Sequence, residues 1–335
     1  MNSKYFFDLN AIKPENNNSG GKIIHVTSAE AAGLVNISFS ALRLEKLGSL
    51  EPIWHPNANK IGYVIQGKGV VAIRNPSTQE LFTVKKGDIF FVPQGYVHHI
   101  VNNGDEELTI KFALSADRPE TMRFSQAIES ISDSVFNSTF KTPNGFVDGL
   151  KKGKNHGLLK TLSNVKNLPD CMSSRYKFNI GDSAKPILTK GGYLQIGTKI
   201  NLPALSGLGI LGFGLNKKGI VEPHWHTNAG ELVYIVKGET KITVLSPDGK
   251  VDLLTVKAGQ GAFAPASYFH NIENVGSEDV EVIAFFSNAD PDYIGIGEVM
   301  GSYSNEVLAS IFNVDPSYFD GFKKPQGPLV IVPID

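Results

Sequence analysis

The sequence predicts an all-β protein built from two tandem antiparallel barrels, each followed by a helical arm. Two observations predict it. Short apolar-alternating segments punctuated by Gly, Pro and Asn fill residues 23–114 and again 193–287, the pattern of regularly spaced strands in a sandwich or barrel. The 335-residue chain is also a tandem duplication almost end to end, which places two domains in a length that has room for two.

The repeat is read in order along the chain. Tyr5-Phe6-Phe7-Asp8-Leu9 matches Tyr176-Lys177-Phe178-Asn179-Ile180, Gly20-Gly21 matches Gly191-Gly192, and Trp54-His55 matches Trp225-His226, all at one constant offset. The offset then lengthens by a residue, pairing Pro93 with Pro265, His98 with His270 and Gly104 with Gly276. Domains are therefore expected at 1–160 and 174–335, with the connection within 153–173. Segments such as Val70-Val71-Ala72-Ile73 and Asp88-Ile89-Phe90-Phe91-Val92 read as strands, Gly67 and Gly238 follow equivalent strands, and Ser246-Pro247-Asp248-Gly249 reads as a hairpin turn. Residues 124–150 and 296–322 change period. Val307, Leu308, Ile311 and Phe312 fall on one helical face, and Ser132–Lys152 resembles Ser304–Lys324.

The chemistry concentrates in Pro223-His224-Trp225-His226-Thr227-Asn228-Ala229-Gly230-Glu231 and in Pro265 to His270. Side chains alternate along a strand, so His224 and His226 project to one side and both reach one ion. Thr227 to Gly230 reverses the chain, Glu231 opens the next strand, and His270 arrives from a distant one. Three neutral nitrogens and one anionic oxygen suit a first-row divalent metal with open coordination positions. Trp225, and Trp54 in the earlier copy, face away by alternation and pack outside the site.

The earlier copy is eroded. Ile53 stands where His224 would be and Lys60 where Glu231 would be, leaving His55 and His98 as the two surviving ligand positions. A lysine in place of the anionic ligand opposes metal binding, so one ion per chain is expected, in the second barrel. His25, His99 and His156 fit no constellation.

Composition excludes several classes. With 32 Lys and Arg against 33 Asp and Glu there is no basic excess to neutralise phosphates, so no nucleic-acid partner is expected. The single Cys171 leaves neither an intramolecular disulfide nor a cysteine-based zinc site. The N-terminus lacks a signal-peptide pattern and no apolar run is long enough for a bilayer, giving a cytoplasmic expectation without a membrane partner.

The tandem pattern resembles the bicupins of the cupin superfamily, which include oxalate decarboxylases and the seed storage globulins, with germins as single-domain relatives. The first cupin motif is matched by His224, His226, Glu231 and Gly238, and the second by Pro265 and His270, with Ser267 in place of the usual Gly. In the first repeat Pro93-Gln94-Gly95-Tyr96-Val97-His98 keeps the second motif intact. The resemblance implies two double-stranded β-helix, or jelly-roll, barrels and manganese as the metal, with iron, nickel, copper and zinc accepted by the same donors. It further implies a small-molecule, carboxylate-like ligand. Asn305 to Val314 and Val330-Ile331-Val332-Pro333 resemble the arm and tail of the storage globulins, where such arms pack against neighbouring subunits, implying a dimer or trimer.

Oxalate-degrading relatives carry an Arg or Asn shortly before the first ligand histidine, where this chain has Val221 and, in the first repeat, Leu50. They also carry a Glu after the last ligand histidine, where this chain has Ala284. Asp290 and Asp292, where the family has its lid, are candidate proton donors. Together these features imply a metal-dependent decarboxylase or oxidoreductase acting on a small organic acid or with dioxygen. The alternatives are a storage-like or ligand-binding bicupin with a structural metal, and a sugar-acid or oxygenase activity on the same ligands.

Overall fold

The computed structural model describes residues 3–143, 145–152, 157–164, 173–325 and 327–334. The chain forms two compact units, one of residues 13–25 and 38–178, the other of residues 1–12, 26–37 and 179–335.

The first unit is a two-sheet antiparallel barrel. One sheet orders Lys177–Asn179, Asp88–Val92, Lys60–Gln66, Leu108–Leu114, Ser38–Leu44, Gly21–Val26 and Asn16–Asn18; the other orders Met122–Arg123, Gly48–Trp54, Val97–Val101, Lys68–Arg74 and Gln79–Lys85. Phe82, Phe90 and Phe112 pack edge to face in its core, with centroids 6.3 and 5.9 Å apart. Burying one such side chain contributes about 1.5–3 kcal/mol.

The second unit repeats the design. One sheet orders Phe6–Asp8, Gln260–Ala264, Glu231–Lys237, Val280–Phe286, Gly209–Leu215, Gly192–Gly197 and Ile187–Thr189; the other orders Val251–Lys257, Glu239–Leu245, Phe269–Asn274, Gly219–Trp225 and Ile294–Gly295. In Glu239–Leu245 the side chains of Thr240, Ile242 and Val244 are buried and their neighbours are not, the period-two signature of a sheet with one face on the core. Gly67 and Gly238 turn into the next strand with φ of 83° and 85°, the left-handed region where a Cβ is costly. The Ser246–Gly249 turn closes with Ser246 N–H to Lys250 O at 2.9 Å and Gly249 at φ 81°.

The compact units divide differently from the expected domains at 1–160 and 174–335: residues 1–12 and 26–37 join the second unit and residues 174–178 the first, so the two repeats exchange their first strands. Phe6–Asp8 pairs with Gln260–Ala264 of the second unit, and Tyr176 O accepts from Phe91 N–H in the first at 2.9 Å. Part of the 153–173 connection is structured. Leu158 and Leu159 are buried, and Leu159–Thr161 pairs with Gly48–Leu50, because two apolar side chains here cover the barrel edge. Ile331–Pro333 does the same on Gly219–Val221. His156 and Cys171 lie outside the described residues.

The arms are helical in both units, at Phe124–Ser130, Asp133–Phe140 and Phe146–Lys152, and at Ile296–Ser302 and Asn305–Phe312. Ser132 and Ser304 cap equivalent helices by accepting from Val135 N–H and Val307 N–H. The covered face of Asn305–Phe312 differs from the expected one. Leu308 and Ala309 are buried beside Phe319, whereas Val307, Ile311 and Phe312 are exposed, because the turn Pro316–Phe319 packs on one side of the helix only. Among the described residues no helix is long and apolar enough to cross a membrane.

Candidate metal centre

His224 lies one residue before the end of the strand Gly219–Trp225, whose register sets it directly opposite His270 on Phe269–Asn274, with a bulge between Val221 and His224. Bulges re-aim side chains beside functional sites. His226 lies just past that strand, and Glu231 is the first residue of Glu231–Lys237 in the facing sheet. One donor atom from each of His224, His226, Glu231 and His270 lies within 4.8 Å of all the others, and all four residues are buried.

The hydrogen bonds determine what the imidazoles offer. Nδ1 of His224 meets Glu222 O at 2.7 Å, Nδ1 of His270 meets Tyr268 O at 2.8 Å, and Nδ1 of His226 meets Asp292 O. A carbonyl only accepts, so each Nδ1 carries the proton and each neutral ring presents a bare Nε2 lone pair. Those nitrogens converge on Glu231 Oε2 at 3.6, 3.2 and 2.9 Å for His224, His226 and His270. Three lone pairs facing a carboxylate oxygen repel unless a cation sits among them, so the donor set fits a divalent metal ion.

Electrostatics point the same way. Burial pushes the Glu231 carboxyl up, but protons on the imidazole Nε2 atoms, which occupy the place of a metal ion, outweigh it by hydrogen bonding and hold the group well below the ordinary carboxylate range. Burial, with His270 adding, pushes His224 down to about 4. For His226 burial acts downward, yet the Glu231 carboxylate and the Asp292 contacts leave it raised. The site thus favours positive charge next to Glu231, where a metal ion supplies it without protonating a ring.

Two supporting residues escaped the sequence reading. Glu222 is buried, and its carboxylate accepts from Tyr293 Oη at 3.1 Å, Gly297 N–H at 3.3 Å, Leu329 N–H at 2.8 Å and Val330 N–H at 3.0 Å. Tyr293 also stacks on the His224 ring at 4.7 Å and 21°. Burial, then Glu222, push its phenol up, so it stays protonated. Glu222 therefore ties the arm and the tail to the ligand strand. The available signal was its repeat partner, Glu51, which pairs with Arg123 and is retained although the neighbouring ligand is not.

The two candidate acids have distinct positions. Asp292 accepts from Thr227 N–H at 2.6 Å and from Thr227 Oγ1. Burial acts upward on its carboxyl, but these hydrogen bonds hold it low. Asp290 is exposed at the mouth of a cavity of about 240 Å3 that reaches His224, His226 and Glu231. Val221 lines this cavity, and Ala284 is buried in the core.

In the first barrel the equivalent positions hold a different arrangement. Lys60 is buried, with Nζ 3.2 Å from His98 Nε2 and 4.2 Å from the Phe112 ring centroid. Burial lowers its amine to about 7. Burial and Lys60 push His55 down to about 3 and His98 well below its ordinary value. Ile53 is paired opposite His98 and offers no donor. His25 bonds Ser40 and Glu15, and His99 bonds Leu50 O, apart from both sets.

Comparison with known proteins agrees with this architecture. The chain belongs to the cupin family, whose model matches residues 7–145 and 178–318. A germin-like protein of Oryza sativa subsp. japonica is 31% identical over 157 residues, covering 44% of this chain and 70% of that protein. Oxalate decarboxylase OxdC of Bacillus subtilis is 23% identical over 278 residues, covering 80% and 72%. A solved structure of oxalate decarboxylase from Bacillus subtilis superposes with a TM-score of 0.86 at 18% identity, covering 100% of this chain and 89% of that one.

Proposed function

We propose that the second barrel binds one divalent metal ion through Nε2 of His224, His226 and His270 and a carboxylate oxygen of Glu231, and that the protein is a metal-dependent enzyme acting on a small organic acid. The observation that carries the reading is the convergence of three lone-pair nitrogens on one buried carboxylate oxygen. Manganese is the first candidate because a solved relative, the Bacillus subtilis oxalate decarboxylase, is described with Mn(II) centres; iron, nickel, copper and zinc accept the same donors.

When bound, such an ion supplies Lewis acidity and, if redox-active, electron transfer. The chain's own residues do the rest. The backbone carbonyls of Glu222, Tyr268 and Asp292 fix the ring tautomers, and Glu222 with Tyr293 clamps the lid segment over His224. Apolar walls line the cavity, and a ligand that displaces water from it strengthens charge interactions inside it. Asp290, at the cavity mouth, is placed to exchange a proton with solvent. Asp292, with its carboxylate engaged by Thr227, contributes by holding the turn that carries His226.

A second reading, a storage-like or ligand-binding bicupin with a structural metal, draws support from Val221 and Ala284, which are apolar where oxalate-degrading relatives are polar. The two separate by assay. Carbon dioxide release and oxygen consumption are followed for the metal-loaded protein on a panel of small mono- and dicarboxylic acids. Turnover of any of them supports the enzyme, and inertness with metal retained favours the binding protein. The exposed apolar side chains on the arms, Phe140 and Phe146 in the first and Ile311 and Phe312 in the second, support self-association as a dimer or trimer.

A further inference from the structure

The cavity over His224, His226 and Glu231 is walled by Leu194, Ile196, Leu211, Phe213, Val221 and Phe286, and none of its lining residues is a lysine or arginine. Its charged groups besides Glu231 are the acids Asp290 and Asp292. Resting on the metal-site reading above, we propose that this cavity selects an apolar acid bearing a single carboxylate, an aromatic or branched one, and discriminates against oxalate. The head meets the metal and the tail fills the apolar wall.

The charge balance sets the preference. A divalent ion less the Glu231 carboxylate leaves one positive charge, and a monocarboxylate neutralises it. Oxalate leaves one net negative charge even when both its carboxylates reach the metal, and that charge meets apolar side chains with two further acids at the rim. A buried charge without a cation or donor is strongly disfavoured. The Tyr293 hydroxyl does not relieve it, since it donates to Glu222.

Size narrows the tail. An apolar cavity of about 150 Å3 accepts benzene, so one of about 240 Å3 holds a ring with its carboxylate and a small substituent.

The test is isothermal titration calorimetry on the protein carrying the divalent ion it retains, with benzoate and oxalate as probes. Benzoate is expected to bind at least ~10-fold tighter than oxalate, a difference that one uncompensated charge readily produces. Val221→Arg, which adds the absent cation, should reverse the order of benzoate and oxalate. Oxalate binding as tightly as benzoate to the wild-type protein overturns the inference and leaves the metal site standing. Benzoate binding unchanged after metal removal overturns the placement of the head. A protein that neither retains nor takes up metal overturns both readings. The wild-type ratio decides the matter even if Val221→Arg fails to fold.

Discussion

Replacing Lys60 by methionine should stabilise the first barrel and flatten its dependence on pH. The amine is wholly buried, lies beside His98 and Phe112, and is lowered by burial from 10.5 to about 7. In the unfolded chain it titrates near 10.4. Between those values the unfolded state binds a proton that the folded state does not, so stability rises with pH. The contribution is therefore lowest below pH 7, grows from there to about pH 10, and is lost as pH falls back through 7. A shift of this size corresponds to on the order of 5 kcal/mol in full, at about 1.4 kcal/mol per unit. Some 2–3 kcal/mol of it should develop between pH 7 and 9. Methionine fills a similar volume without a charge and removes the term, as when buried charges give way to apolar groups of similar size. The assay is urea denaturation of wild type and Lys60→Met at pH 7 and pH 9, read as the difference between the two proteins at each pH. The variant should be more stable at pH 7, with the gap shrinking by about 2–3 kcal/mol at pH 9. Parallel pH profiles would refute the reasoning, because they would mean that Lys60 is solvated or paired in the folded state.

Ile53→His with Lys60→Glu should restore four ligands in the first barrel and raise metal content toward two ions per chain by elemental analysis; an unchanged content would mean that other side chains fill the space. Glu222→Ala strands the Tyr293 hydroxyl and the amides of Gly297, Leu329 and Val330 and should cost about 2–4 kcal/mol. It should also speed amide hydrogen exchange in the arm and tail before the barrel strands. Light scattering at micromolar concentration should find a dimer or trimer, and charged substitutions at Ile311 and Phe312 should dissociate it if the exposed face of that helix is the contact.

Much of this was legible in residue order, and for definite reasons. Alternation in Glu239–Leu245 is a property of single residues, and the spacing of His224, His226 and Glu231 is local, so both can be read without tertiary information. The two-fold duplication exposed His270 and the erosion at Ile53 and Lys60. It could not reveal the strand exchange, since Phe6–Asp8 and Lys177–Asn179 are equivalent copies and nothing local says which barrel each completes. The helix Asn305–Phe312 shows the limit of periodicity. Val307, Leu308, Ile311 and Phe312 make a stripe by spacing, but where Phe319 lands decides which part of it is covered. Glu222 and Tyr293 were missed because neither belongs to the candidate ligand set; their role depends on contacts many residues apart in the chain.

The most direct test of the account is metal stoichiometry after exhaustive dialysis, measured for wild type and His226→Ala. The wild-type protein should retain about one divalent ion per chain. Changes around a metal site that leave its ligands in place already cost ~10–100-fold in affinity, so loss of a ligand should empty the site in His226→Ala. About one ion in the wild type and close to none in the variant is the predicted result. Equal metal in the two proteins, or about two ions per wild-type chain, would contradict a single centre built on His224, His226, Glu231 and His270.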